Sequence, residues 1–147
     1  MKIFLTLLLA LSLNAAGFWT LTGLQKANVY VDNQLSIIKP ETLETIKERM
    51  AETLTKHKIA MNQQDSSTLM LSLEEIAGDD DLYYVYMKLS LGEDVQTFRK
   101  DREATFSLTF QATDFIETQS DTLSADVLES LTYLLGSFSE LYEEDNE

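Results

Sequence analysis

His57 is the only histidine in this chain, and there is no cysteine. That pair of facts sets the outer limit on its chemistry. A zinc site assembled from His and Cys ligands needs more of both. A Ser–His–Asp triad would have to use His57, and no Gly-x-Ser-x-Gly turn is present to expose a nucleophile. His57 falls at the expected C-terminal end of a helix, where the dipole favours an imidazolium, so it reads as a surface or capping residue. The five glycines form neither a Gly-x-Gly-x-x-Gly nor a Walker-type loop. No catalytic residue, cofactor site or metal site is therefore assigned.

Carboxylates are the abundant reactive group. Asp79, Asp80 and Asp81 are the best candidates for a hard cation, which wants several oxygen ligands. Adjacent residues in a tight turn point in different directions, and the spaced Asp-x-Asp-x-Asp-Gly pattern is missing, so a solvated hairpin tip is the expectation. Carboxylate pairs recur at Glu74/Glu75, Glu93/Asp94 and Glu143/Glu144, so a pair by itself does not indicate a glycosidase. Acid–base work needs one carboxyl desolvated and another ionised across a cleft.

Tyr84 and Tyr86 are the candidate partner surface. They alternate with Val85, Met87 and Leu89, so they occupy the opposite face of one strand. If helices cover the Val85 face, the two rings stand on the open face, where tyrosine gives contact area at low entropic cost. Thr105, Ser107 and Thr109 are expected beside them. The alternative is that the rings only cover the sheet through cross-strand pairing.

These residues must be positioned by six elements. Ala27 to Asp32, with alternating valines, reads as a first strand. A helix is predicted from Pro40 to about His57, with Pro in its first turn and an apolar stripe of Leu43, Ile46, Met50 and Leu54. Leu69, Leu71 and Leu73 alternate with polar residues as strand two. Gly78 to Asp81 makes a hairpin loop. Strand three runs from Tyr83, with Gly92 marking a bulge and Val95 and Phe98 extending it. Ala104 to Gln111 forms strand four, and Asp114 to Leu123 reads as a polar connection. Ser124 is expected to cap a second helix over about Ala125 to Tyr142, striped by Val127, Leu131, Leu134, Leu135 and Phe138. The tail from about Glu143 is acidic and expected to fray. The economical arrangement is a two-layer α+β domain in β-α-β-β-β-α order. An antiparallel sheet of about four strands carries both helices on one face, and the neighbour of strand one is left open.

The first seventeen residues stand apart. Lys2 gives a positive start, Ile3 to Leu13 an apolar run, and Asn14 to Gly17 the small residues at a cleavage site. This is the pattern of a secretory signal peptide, cut after Ala15, Ala16 or Gly17. The run is shorter than the roughly 20 residues that span a bilayer. Residues 18–147 then form a single domain with no membrane span. Lacking cysteine, it has neither a lipid attachment point nor disulfides and must rely on its core. The balance of 11 Lys and Arg against 25 Asp and Glu gives a formal net charge of −14. Such a surface repels nucleic acid and anionic lipid, and suits solubility or a cationic partner.

Several short motifs fall together: Gly23-Leu24, Val29-Tyr30-Val31, Pro40-Glu41, Leu82-Tyr83-Tyr84-Val85-Tyr86, Glu93, Val95, Arg99 and Phe138 to Asn146. From Gly23 to the C-terminus this layout resembles a group of small exported bacterial proteins of unknown function. It departs from that group at Thr109-Phe110, where a Thr-Trp pair is expected. The resemblance implies export and the β-α-β-β-β-α layout, and carries no active site. The expectation is an exported, non-enzymatic binding or accessory module of the bacterial envelope, periplasmic or secreted, acting through a protein partner. The alternatives are a small-molecule or lipid carrier, with its ligand between sheet and helices, and a carboxylate-using enzyme.

Overall fold

The computed structural model describes residues 19–147. The expected signal peptide and its cleavage sites lie outside the described residues. The elements are β1 (Ala27–Asn33), α1 (Pro40–Lys56), β2 (Ser67–Asp79), β3 (Leu82–Gln96), β4 (Ala104–Gln119) and α2 (Leu123–Asn146). They form an α+β fold with one four-stranded sheet in the order β1-β2-β3-β4. β2, β3 and β4 are a continuous antiparallel meander. β1 is the exception to the expected antiparallel sheet: it pairs with β2 in parallel, Val29 beside Leu69 and Val31 beside Leu71. The physical reason is the connection, because α1 carries the chain back before β2 begins, as parallel neighbours require.

Alternation decides which face is covered. Leu69, Leu71 and Leu73 of β2, Val85, Met87, Leu89 and Leu91 of β3, and Phe110 of β4 are all buried. Ile46, Met50 and Leu54 of α1 and Val127, Leu131, Leu134 and Phe138 of α2 close over them in one cluster. Leu43, expected in the α1 stripe, is only partly buried, and Thr42 is buried in the first turn instead. The helices are tied side by side. Thr42 Oγ1 donates to Ser124 Oγ at 2.9 Å, and Arg49 Nη1 donates to the Leu128 carbonyl at 3.1 Å and to Thr132 Oγ1 at 3.2 Å. Ser124 is thus a bridge between helices and not the expected cap. The N-cap position belongs to Thr122, which makes no side-chain capping bond.

Turn chemistry fixes the β2–β3 register. Asp80 and Asp81 both take positive φ, 45° and 69°, the requirement of a two-residue primed hairpin turn, which Asp tolerates. Two irregularities follow. β2 bulges between Glu75 and Ala77. The β3–β4 register shifts at Leu91/Gly92, where Thr109 is the extra residue on β4. The Gly92 bulge expected from sequence therefore exists, with its additional residue on the partner strand.

Two segments expected to be loose are ordered. Asp114 to Gln119 continues β4 opposite Met87 to Leu82, because its polar side chains find partners on α2. Ser130 Oγ donates to Asp114 Oδ2 at 2.7 Å, and Thr118 Oγ1 donates to Asp126 Oδ2 at 2.5 Å. The acidic stretch from Glu143 is helical to Asn146 and grips the lead-in to β1. Asp145 Oδ2 accepts from the Leu21 amide at 2.6 Å. Asn146 accepts from the Gly23 amide at 2.9 Å and donates to the Leu21 carbonyl at 3.1 Å. Among the described residues, no helix is long and apolar enough to cross a membrane.

Candidate functional site: the outer face of the sheet

Register maps the face turned away from the helices. Side chains directly opposite share a face. Tyr30, Met70, Ser90 and Gln111 form one row; Asp32, Ser72, Lys88 and Thr113 the next; Glu74, Tyr86 and Phe115 a third; Tyr84 and Glu117 a fourth. Tyr84 and Tyr86 are half-buried, while Phe115 and Tyr30 are each 54% exposed. The Tyr84 and Phe115 rings stack across the strands with centroids 5.9 Å apart and planes 16° off parallel. Tyr84 thus both pairs across the sheet and belongs to an aromatic patch on its uncovered side. Ser90 is buried among its neighbours, and its Oγ has no hydrogen-bond partner.

The companions expected for the tyrosines are elsewhere. Thr105 and Ser107 lie opposite Val95 and Glu93, at the far end of β3. Thr109, at the bulge, donates to the Glu93 carboxylate, whose other oxygen accepts from Ser67 Oγ at 2.7 Å. Glu93 therefore joins β2, β3 and β4 where the register shifts. Beyond it, Phe106 is 64% exposed and lies over Gly92. A Cβ on Gly92 would fall 2.2 Å from Phe106 Cζ, so the missing side chain lets the ring lie on the strand. The sequence pattern does not mark Phe115 or Phe106 as site residues. Phe115 falls in the segment read as a connection, and only the length of β3 signals that β4 must continue beside it.

His57 occupies the C-cap of α1, half-buried against α2. Its Nε2 and Ser139 Oγ are 2.9 Å apart, and its ring centroid is 4.8 Å from that of Tyr142. The dipole argument favours an imidazolium here; the surroundings reverse it. Burial first, and then the neighbouring Lys56 charge, hold the pKa below its ordinary 6.5, with Glu143 pulling weakly the other way. Among the described residues, no group of three or more His, Cys, Asp or Glu side chains is placed to hold a metal ion.

Among the surface grooves, two adjoin α2. The first, about 550 Å³, runs between the helices on their solvent side, lined by Arg49, Lys56, Leu135, Gly136 and Ser139 among others. The second, about 350 Å³, lies between β4 and α2, lined by Asp114, Ile116, Glu117, Asp126, Glu129, Ser130 and Tyr133. The space between sheet and helices, where the carrier alternative would hold its ligand, is occupied by core side chains.

No family model matches the chain, and no curated protein matches its sequence. Among solved structures it is similar to a PelC dodecamer from Paraburkholderia phytofirmans. That match has a TM-score of 0.41 and 18% identity, over 83% of this chain and 86% of that one. It is also similar to a minor lipoprotein from Acinetobacter baumannii, with a TM-score of 0.29 and 15% identity, over 84% of this chain and 88% of that one. Likeness at this level leaves the functional reading to the chain's own geometry.

Proposed function

We propose that this protein is an exported, non-enzymatic binding module of the bacterial envelope that meets a protein partner on the outer face of its sheet. One observation carries the reading. The Tyr84–Phe115 stack, with Tyr86 beside Phe115, forms an aromatic patch on the face that neither helix covers. Aromatic side chains are the usual anchors of protein interfaces, since they bury large area while fixing few torsions. Export is supported by the positive start, apolar run and small residues of Met1 to Gly17, and by the resemblance to small exported proteins. A carboxylate-using enzyme has less support. The half-buried carboxylates of the β4–α2 groove, Asp114 and Asp126, are each engaged by a hydroxyl donor, Ser130 and Thr118.

Two measurements test the proposal. N-terminal sequencing of protein recovered from the producing cell should begin at Ala16, Gly17 or Phe18; a chain that retains Lys2 removes the export half. A photo-crosslinking amino acid at position 86 or 115 should give a discrete adduct in that cell. The adduct should vanish with Tyr84→Ala and be absent when the probe sits at exposed Glu140. Equal adducts from all three positions, or none, would remove the outer face as the partner surface.

A further inference from the structure

The two edges of the sheet are unlike. β1 is short, whereas β4 runs from Ala104 to Gln119. An edge strand presents unpaired backbone groups that can template another chain. Two bonds show which residues of β4 face outward. The Thr109 carbonyl accepts from the Thr20 amide at 2.8 Å, and the Phe115 amide donates to Asp114 Oδ1 at 2.8 Å. Outward groups come from alternate residues of an antiparallel strand, so Gln111 and Thr113 also face outward. Among the described residues, no further strand meets them.

The groove beside this row has a definite charge. Asp114, Glu117, Asp126 and Glu129 line it with Ile116 and Tyr133. Among the described residues, none of these four carboxylates is in an ion pair. β4 itself carries no Lys or Arg. A strand added along Gln111 to Glu117 would bring alternate side chains over the groove, where Lys or Arg would meet the carboxylates and the aliphatic stem would lie on Ile116 and Tyr133.

We propose that the free edge of β4 takes an extended, Lys- or Arg-containing segment of a different protein as a fifth strand. This deepens the partner reading above, because it names the partner's conformation and charge at a second surface. A second copy of this chain is the poorer occupant. Two β4 edges would bring together two strands that carry Asp114 and Glu117 and no Lys or Arg to answer them, and like charges across a ladder destabilise it. The chain's own upstream residues are also poor. On the expected cleavage after Ala15, Ala16 or Gly17, at most a few residues precede Trp19, too few to lay a strand over Gln111 and Thr113.

The test uses the mature protein and a peptide of about ten residues alternating Lys and Val, a length that fills one strand. Its counterpart has Glu in place of Lys. Amide exchange and NMR shifts are read per residue. The cationic peptide should slow exchange at Gln111 and Thr113 and shift the amides around Ile116, while the anionic one does neither. Glu117→Gln with Glu129→Gln, both exposed positions, should weaken binding about fivefold, the scale of two exposed ion pairs. Thr113→Pro, tolerated on an edge because the outward amide has no partner there, should abolish the protection and leave the unfolding midpoint near wild type.

Three results would overturn the proposal: shifts scattered over the whole acidic surface without protection at Gln111 and Thr113, equal binding by the folded Thr113→Pro variant, or protection of those amides that rises with protein concentration and no peptide. The last would assign the edge to a second copy. None of these results bears on the crosslinks from positions 86 and 115, so failure here is separable from failure of the outer-face reading.

Discussion

The same three long strands build both faces of the sheet, and the two faces spend their side chains differently. On the covered side, Leu71, Leu73, Val85, Met87, Leu89 and Leu91 are wholly buried beneath the helices. On the outer side, Tyr84, Tyr86 and Lys88 are only half-buried, and Phe115 remains more than half exposed. Burial on the first face comes from another layer. On the second it comes from cross-strand neighbours alone. The covered face can therefore bear little change, while the outer face can change its residues without unfolding the domain and is the face free to recognise something.

Adjacent residues of β3 give the sharpest contrast. Leu89→Ala empties a wholly buried core site and should cost about 2–5 kcal/mol. Lys88→Ala, one residue earlier and on the other side, should stay within about 0.5 kcal/mol of wild type. Urea unfolding of both variants checks this. Comparable losses would mean that the outer face is also a core.

The cover over the inner face depends on its latch. Leu21 and Leu24 close one end of the core, and Asp145 holds the Leu21 amide. Asp145→Ala should cost about 1–3 kcal/mol, the range for losing a charged acceptor and leaving a buried donor unpaired. Hydrogen exchange at Leu21 and Gly23 should quicken well before that of Leu89. If exchange at Leu21 is unchanged, the lead-in is held by its leucines and not by the helix end.

On the outer face the measurable energy should be pairwise. A double-mutant cycle of Tyr84→Ala and Phe115→Ala should return a coupling of about 0.5–1.5 kcal/mol, the scale of a stacked aromatic pair. Strict additivity would leave the two rings as independent surface groups, and weaken the case for a preformed patch.

The contrast between faces was readable from the strict alternation between Tyr83 and Leu91. So were both helices, from stripes such as Ile46, Met50 and Leu54. Residues whose polarity is answered from far along the chain were not readable. Asp114 is a strand residue because Ser130 donates to it, and Asp145 is a helix residue because the lead-in, more than a hundred residues away, supplies its donors. Locally, both stretches look like solvated connections. The candidate site divides in the same way. Tyr84 and Tyr86 follow from the period of β3, whereas Phe115 needs the β3–β4 register. Thr105, Ser107 and Thr109 follow the same alternation, but the register sets them at Val95, Glu93 and the Leu91/Gly92 bulge, at the far end of β3 from the tyrosines.

The smallest expected effect belongs to the one titratable ring at the rim of the covered side. His57 lies between the end of α1, with Lys56, and α2, with Ser139, Tyr142 and Glu143. Burial and then Lys56 hold its folded-state pKa below 6.5, Glu143 opposing, so as pH falls the unfolded chain takes up the proton first. The stability contributed by the neutral ring is complete above about 6.5 and is lost as pH drops below that value toward the folded-state pKa. Wild type should therefore lose more stability than His57→Gln between pH 7.5 and 5.5, a window above the range in which most carboxylates titrate. The difference should be slight, because the ring is partly exposed and water screens its neighbours. Urea midpoints across that window decide it. Parallel slopes would mean that protonated His57 is accommodated, by Glu143 or by rotation toward solvent. A steeper fall in the wild type would place the only imidazole among the groups that keep the helical layer closed.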